Sequence, residues 1–239
     1  MNDKGKLYLI PTTLGDSDPF KVLPNSIKDV MSRVNVFIVE NEKTARKHIK
    51  QINPTKNQAH LKLLPLNKYT DPQDLLSYLD DCDSGTDIGL LSEAGCPGIA
   101  DPGADIVKLA HEKNIQVIPL VGPSSILLAM MASGMNGQSF AFNGYLPIDK
   151  SARKSEIKRL ERISYEHNQS QSFIETPYRN NKLLEDLCSL LNDHTEICVA
   201  CDVTLPTEYI KTLPVKIWKH TKVDLHKRPT MFVLHKPSF

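Results

Sequence analysis

The stretch Gly89-Leu90-Leu91-Ser92-Glu93-Ala94-Gly95-Cys96-Pro97-Gly98-Ile99-Ala100-Asp101-Pro102-Gly103 carries the densest chemistry in the chain. An apolar strand runs into a loop rich in glycine and proline that holds two carboxylic acids, Glu93 and Asp101. In open α/β sheets, ligands sit beyond the carboxyl ends of strands. Glycine lets backbone approach a ligand closely, and proline stiffens the loop. A purely structural loop is the plain alternative, but the segment is long for a βα turn. Glu40 also falls at the carboxyl end of an expected strand. Its plain alternative is a solvated acid at a helix start, and that of Asp101 is a helix N-cap or turn residue.

Two further loops share this character. Val121-Gly122-Pro123-Ser124-Ser125 opens an apolar helix whose free N–H groups could hold a polar ligand. Pro11-Thr12-Thr13-Leu14-Gly15-Asp16 follows the first expected strand. The three loops meet if their strands are neighbours. None matches G-x-G-x-x-G or the phosphate-binding P-loop.

Metal chemistry has little support. Cys198 and Cys201 form an isolated C-x-x-C, and Cys82, Cys96 and Cys188 supply no second pair. The two sulfurs are expected on opposite faces of a buried strand. No histidine grouping resembles H-E-x-x-H. Five cysteines without a secretion signal argue against a disulfide framework. Met130, Met131 and Met135 are expected in the core.

The elements that must position these loops alternate in type. Apolar runs predict strands at Leu7–Ile10, Val36–Val39, Leu61–Leu64, Asp87–Leu91 and Gln116–Leu120 in the first half. Helices are expected near Val22–Arg33 with Pro24 in the first turn, at Glu42–Gln51, after an Asp71 N-cap, and at Gly103–Lys113. This alternation indicates βαβ units around a mainly parallel sheet. The second half reads as a helix from Ser124 to Ser133, a strand at Phe140–Tyr145, a basic helix from Ser151 to His167 and a strand at Gln171–Glu175. A helix near Asn180–Leu191 follows, with strands at Glu196–Asp202, Val215–Lys219 and Met231–His235. The expected fold class is α/β, with two α/β domains: residues 1–121 and residues 122–239.

Composition sets the outer bounds. The 239 residues are 40% hydrophobic and 24% charged, which is ordinary for a globular chain. No run is long enough for a transmembrane helix, and the start lacks the apolar segment of a signal peptide. A cytoplasmic protein is expected. Net charge is +1, so any nucleic-acid affinity needs a local patch. The segment Lys150–Arg162 offers six basic residues, Lys150, Arg153, Lys154, Lys158, Arg159 and Arg162, against Glu156 and Glu161. It reads either as a phosphate-contacting helix or as a solvated face with internal ion pairs.

Taken in order, several motifs resemble those of the tetrapyrrole-methylase-like, S-adenosylmethionine (SAM)-dependent methyltransferases. The closest resemblance is to the branch that methylates a ribose 2′-hydroxyl of small-subunit ribosomal RNA. Ser92–Gly103 is similar to that branch's Ser-Asp-Ala-Gly-Thr-Pro-x-Ile-Ser-Asp-Pro-Gly. Val121–Ser125 is similar to its Pro-Gly-Pro-Ser, Asn143–Pro147 to its Gly-Phe-Leu-Pro, and Glu175–Arg179 to its Glu-Ser-Pro-His-Arg. Ala200–Thr204 with Glu208 is similar to its Ala-Arg-Glu-Leu-Thr…Glu.

The resemblance implies two α/β domains with SAM in the cleft between them, and usually a homodimer. The cofactor-binding positions it carries over are Thr12, Thr13, Leu14, Gly15, Ser92, Glu93, Ala94, Ile99, Ser124, Ser125, Glu175, Thr176, Ala200, Cys201, Asp202, Pro229 and Thr230. A hydroxyl acceptor would be served by a general base. Glu40 and Asp101 are the candidate catalytic residues, with Glu93 as a further acid; no metal is needed. The acceptor-side segments depart from the branch. Its Glu-Asp-Thr-Arg is replaced by Glu40-Asn41-Glu42-Lys43, and its His-Glu-His-Asn-Glu has no counterpart near Leu66-Asn67-Lys68-Tyr69-Thr70. An RNA acceptor is favoured. The alternatives are a small tetrapyrrole-like acceptor and a non-catalytic homologue that binds SAM or RNA.

Overall fold

The computed structural model describes residues 4–237. The chain divides between Ser124 and Ser125 into two compact units.

The first unit is built on five parallel strands in the order β3-β2-β4-β1-β5: β1 Leu7–Ile10, β2 Val36–Val39, β3 Lys62–Pro65, β4 Ile88–Leu91 and β5 Val117–Pro119. Alternate residues of these apolar strands feed opposite faces, and both faces are covered, as a parallel sheet requires. Tyr8, Ile10, Phe37, Val39 and Leu91 pack beneath helices α1 (Ile27–Arg33) and α2 (Glu42–Ile52). Leu7, Val36, Ile38, Ile88 and Leu90 pack on the other face. There they meet Leu75 of α3 (Pro72–Leu75), Cys82 of α4 (Asp80–Asp83), and Ile106 and Ala110 of α5 (Ala104–Glu112). Asp71 caps α3 as expected, accepting from the Gln73 N–H at 2.8 Å.

The helix expected from Val22 begins only at Ile27. Pro19 and Pro24 lack the N–H groups a continuous helix needs. The segment instead forms a single 3₁₀ turn at Pro19–Lys21, capped by Asp18, and a tight turn closed by the Ile27 N–H on the Pro24 carbonyl (3.1 Å).

The second unit holds five strands in the order β6-β7-β10-β8-β9: β6 Phe140–Tyr145, β7 Ser170–Ile174, β8 Glu196–Cys201, β9 Tyr209–Pro214 and β10 Thr230–His235. Here only β6 and β7 pair in parallel; the other pairs are antiparallel. Helix α6 (Ser125–Ser133) packs on β8, β9 and β10. The main core joins Phe173, Ile197, Val199, Phe232 and Leu234 to α7 (Lys150–His167), α8 (Asn180–Leu190) and α9 (Val215–Trp218).

The strand expected at Val215–Lys219 is a correction. Those residues form α9, and the strand lies just before it at Tyr209–Pro214. Val215 and Trp218 stand three apart and are both buried, a helical spacing that the alternating β-branched Val215 and Ile217 obscured. The Trp218 indole donates to the Ile197 carbonyl (2.8 Å), which locks this turn onto β8. Cys201 shares a face with Ile197 and Val199 in the main core, whereas Cys198 points to the opposite face, opposite Thr212 in the β8–β9 register. The two sulfurs are buried apart, as a strand's period of two requires.

Candidate active site

Strands β4, β1 and β5 are adjacent, so the loops that follow them emerge together. The chain leaves β1 toward the α1–α2 face and leaves β4 toward the α5 face. A crevice opens where neighbouring strands send their loops to opposite sides, and this is where ligands enter such sheets.

Hydrogen bonds stitch the loops to one another. The Thr12 N–H donates to the Gly95 carbonyl at 2.9 Å. Ser92 Oγ donates to that same carbonyl at 2.6 Å and lies 3.3 Å from Thr12 Oγ1. The Cys96 thiol reaches the Pro123 carbonyl at 3.4 Å, which joins the third loop to the second. Two glycines make this closeness possible. A side chain on Gly122 would collide with the Pro11 ring. Gly103, the N-cap of α5, sits at φ +130° with Leu90 Cδ2 2.7 Å from where a Cβ would stand. Ala100 takes the left-handed conformation at φ +56°, a strained choice of the kind that gathers at functional loops.

A cavity of about 220 Å³ lies beside these loops. Thr12, Thr13, Leu14, Gly15, Ser92 and Glu93 line it, together with Thr44, Lys47, His48 and Gln51 from α2. Thr44 Oγ1 donates to Glu93 Oε1 at 2.6 Å, and Lys47 Nζ pairs with Asp16 at 3.0 Å. His48 was not singled out by its sequence. It is 7% exposed, and its Nε2 has no hydrogen-bond partner. Burial lowers its pKa to about 4, against the opposing effect of a bond to the Pro11 carbonyl. The signal was present: Ala45, His48, Ile49 and Ile52 form one buried helical stripe, so a histidine had to face inward.

Among the acids, Asp101 stands out. Burial, reinforced by repulsion from Glu40 and Glu93, raises its carboxyl from 3.8 to about 7. The N-cap of α5 is Gly103 rather than Asp101, so capping does not account for this acid. Glu40, at the end of β2, and Glu93, on the β4 loop, thus both act on the half-buried Asp101.

Ala94 and Ile99 lie on the same β4 loop, with Ile99 55% exposed, and Ser124 ends the unit.

In the second unit the sheet brings together what sequence separates. Cys201 pairs with Thr230 across β8 and β10, and the Asp202 N–H donates to the Pro229 carbonyl at 2.9 Å. Glu175 follows directly on β7, whose Ile174 pairs with Met231. Glu175 is buried and accepts from Arg179 Nη2 at 2.6 Å and from the Thr176 N–H at 2.6 Å. Arg228 Nε holds Asp202 at 2.7 Å, and Asp202 sits at φ +50°. Glu175, Thr176, Cys201, Asp202, Pro229 and Thr230 therefore gather at one end of this sheet. Ala200 precedes them on β8, and Ser125 begins α6. Arg179 and Arg228, which brace this end, were not among the expected residues.

The basic helix α7 spends most of its charge internally. Arg153, partly buried, pairs with Asp186 (2.9 Å), Arg159 with Glu156 (2.6 Å), Arg162 with Glu166 (3.9 Å) and Lys158 with Glu161 (3.8 Å). The solvated, self-paired reading of this helix fits better than a phosphate-contacting one.

Comparison with known proteins gives this arrangement its class. The profile of the tetrapyrrole (corrin/porphyrin) methylases matches residues 7–217. The chain belongs to this family of methyltransferases. Among its relatives, ribosomal RNA small subunit methyltransferase I of Vibrio cholerae serotype O1 is 29% identical over 209 residues, 87% of this chain and 68% of that protein. The protein of the same name from Bacillus subtilis (strain 168) is 31% identical over 207 residues, 85% of this chain and 65% of that protein. Among solved structures, the methyltransferase CobJ superposes with a TM-score of 0.63 at 16% identity, covering 97% of this chain and 94% of that one. Uroporphyrin-III C-methyltransferase from Thermus thermophilus, complexed with S-adenosylhomocysteine, gives 0.55 at 14% identity, covering 97% and 98%. At these identities the two structures speak to the fold, which they share with this chain.

Proposed function

We propose that this chain is a SAM-dependent methyltransferase that methylates a ribose 2′-hydroxyl of small-subunit ribosomal RNA. The observation that carries the reading is the convergence of the β1, β4 and β5 loops at the switch point of the first sheet, in a chain whose relatives act on that RNA.

The first unit's residues suit the cofactor. The crevice offers backbone and the hydroxyls of Thr12, Thr13 and Ser92, and nothing lies within 4 Å of where a Gly98 side chain would stand, so the loop presents open backbone. The holding residues are Thr12, Thr13, Leu14, Gly15, Ser92, Glu93, Ala94, Ile99 and Ser124 in the first unit. In the second they are Ser125, Glu175, Thr176, Ala200, Cys201, Asp202, Pro229 and Thr230. SAM supplies a methyl group already activated on a sulfonium, so the protein's task is orientation and removal of the acceptor's proton. Asp101 is the base: a carboxyl near 7 is half ionised at neutral pH and accepts the hydroxyl proton. Burial, helped by Glu40 and Glu93, keeps its proton affinity high. The protein works in the cytoplasm as a homodimer, each chain folded as two domains joined near Val121–Ser124.

Mass-spectrometric mapping of RNA modifications in a strain lacking this chain tests the reading. One ribose methyl should vanish from small-subunit RNA and return with the wild-type gene but not with Asp101→Asn. An unchanged modification map would reject the RNA acceptor and turn attention to a tetrapyrrole.

A further inference from the structure

Tyr178 is 70% exposed. It lies in the turn between β7 and α8, separated from Glu175 and Thr176 by Pro177. Its ring meets His226 edge-on (centroids 5.9 Å apart, planes at 75°), and the Lys227 ammonium stands 5.9 Å from its centroid. His226 and Lys227 are themselves exposed.

The support beneath this cluster is rigid. The Lys227 N–H donates to the Pro177 carbonyl at 3.0 Å. Asn180 Nδ2 donates to the Arg228 carbonyl at 2.7 Å, and Asn181 Oδ1 accepts from the Leu225 N–H at 2.8 Å. Lys227 is held at φ +60° by this bracing. The nearby carboxylates are already engaged: Glu175 by Arg179, Asp202 by Arg228, and Asp224 by Asn181 and the His226 N–H. No carboxylate partner quenches Lys227 among the described ion pairs. A fixed, exposed aromatic face beside an available cation suits an unpaired nucleobase and its phosphate.

We propose that Tyr178, flanked by His226 and Lys227, is a stacking platform for an unpaired base of the acceptor RNA, with Lys227 contacting the backbone phosphate. The proposal rests on the RNA-acceptor reading and adds the surface that recognises the strand. It also supplies the local cationic patch that a net charge of +1 requires and α7 does not provide.

The test is fluorescence anisotropy with a short labelled single-stranded RNA and with its duplex, alongside calorimetry with S-adenosylhomocysteine. Tyr178→Ala should weaken single-strand binding by about ten- to a hundredfold. Tyr178→Phe, which keeps the face, should stay close to wild type. Lys227→Ala should flatten the slope of log K against log salt by about 0.7. Duplex binding should be the weaker, and S-adenosylhomocysteine affinity should not move in any variant. Wild-type RNA affinity in Tyr178→Ala would overturn the platform while leaving the acceptor reading intact. So would a change in its oligomeric mass, which would assign the ring to a subunit contact. Absence of RNA binding by the wild-type chain would overturn both.

Discussion

Replacing Asp101 by Asn should stabilise the protein at alkaline pH and leave it nearly unchanged in acid. In the unfolded chain this carboxyl ionises at its ordinary value of 3.8, whereas in the folded chain burial, then Glu40 and Glu93, hold it at about 7. A raised folded value means that the group's contribution is fully present below 3.8 and is lost as pH rises through 7. The difference corresponds to about 4 kcal/mol at most. Asp101 is only half-buried, so solvent screening reduces this to about 2 kcal/mol. Urea denaturation of wild type and Asp101→Asn in parallel across pH 4 to 8 reads the gap directly. It should approach zero near pH 4 and open to about 2 kcal/mol by pH 8. Glu40→Gln in the wild-type background should recover part of it. The same Asp101→Asn protein should lose about 10²- to 10⁴-fold in methyl transfer, the range for removing a general base. A stability gap independent of pH would refute the coupled-carboxylate account.

His48 acts with the opposite sign. Its depressed pKa of about 4 means that stability present above 6.5 is lost as pH falls toward 4, and His48→Leu should remove up to about 3 kcal/mol of that acid sensitivity in the same titration. Gly122→Val should cost about 1–3 kcal/mol in urea midpoint analysis, because the added side chain meets the Pro11 ring and forces the β1 and β5 loops apart. Ala94→Arg and Ser125→Arg should each abolish calorimetric binding of S-adenosylhomocysteine with the circular dichroism spectrum intact. Wild-type affinity in both would place the cofactor elsewhere.

The first sheet was legible because both of its faces are buried. Runs such as Val36-Phe37-Ile38-Val39 have no polar face to confuse the period, and Pro or Gly marks most of their ends. The convergence of Thr12, Ser92 and Pro123 followed from loop composition once strand adjacency was known. What the sequence hid was set by long-range packing. Val215–Lys219 has strand-like residues, but the indole bond of Trp218 to Ile197 and the burial of Val215 make it a helical turn. The antiparallel pairings of β8, β9 and β10 leave no local trace, since strands of either orientation share the same period of two. His48 was readable from its helical stripe, yet its unpartnered nitrogen was not. The i,i+3 pair of Arg159 with Glu156 was readable within α7, whereas the pairing of Arg153 with Asp186 could not be weighed until α7 and α8 were seen side by side.

The central claim meets its most direct test in a single transfer assay. Purified protein, SAM labelled in its methyl group and small-subunit ribosomal RNA stripped of that modification are incubated together, and the RNA is digested to nucleosides. The account predicts label in one 2′-O-methylated nucleoside, lost with Asp101→Asn. A folded protein that binds SAM but leaves the RNA unlabelled, or that labels a base nitrogen or a porphyrinoid instead, would contradict it.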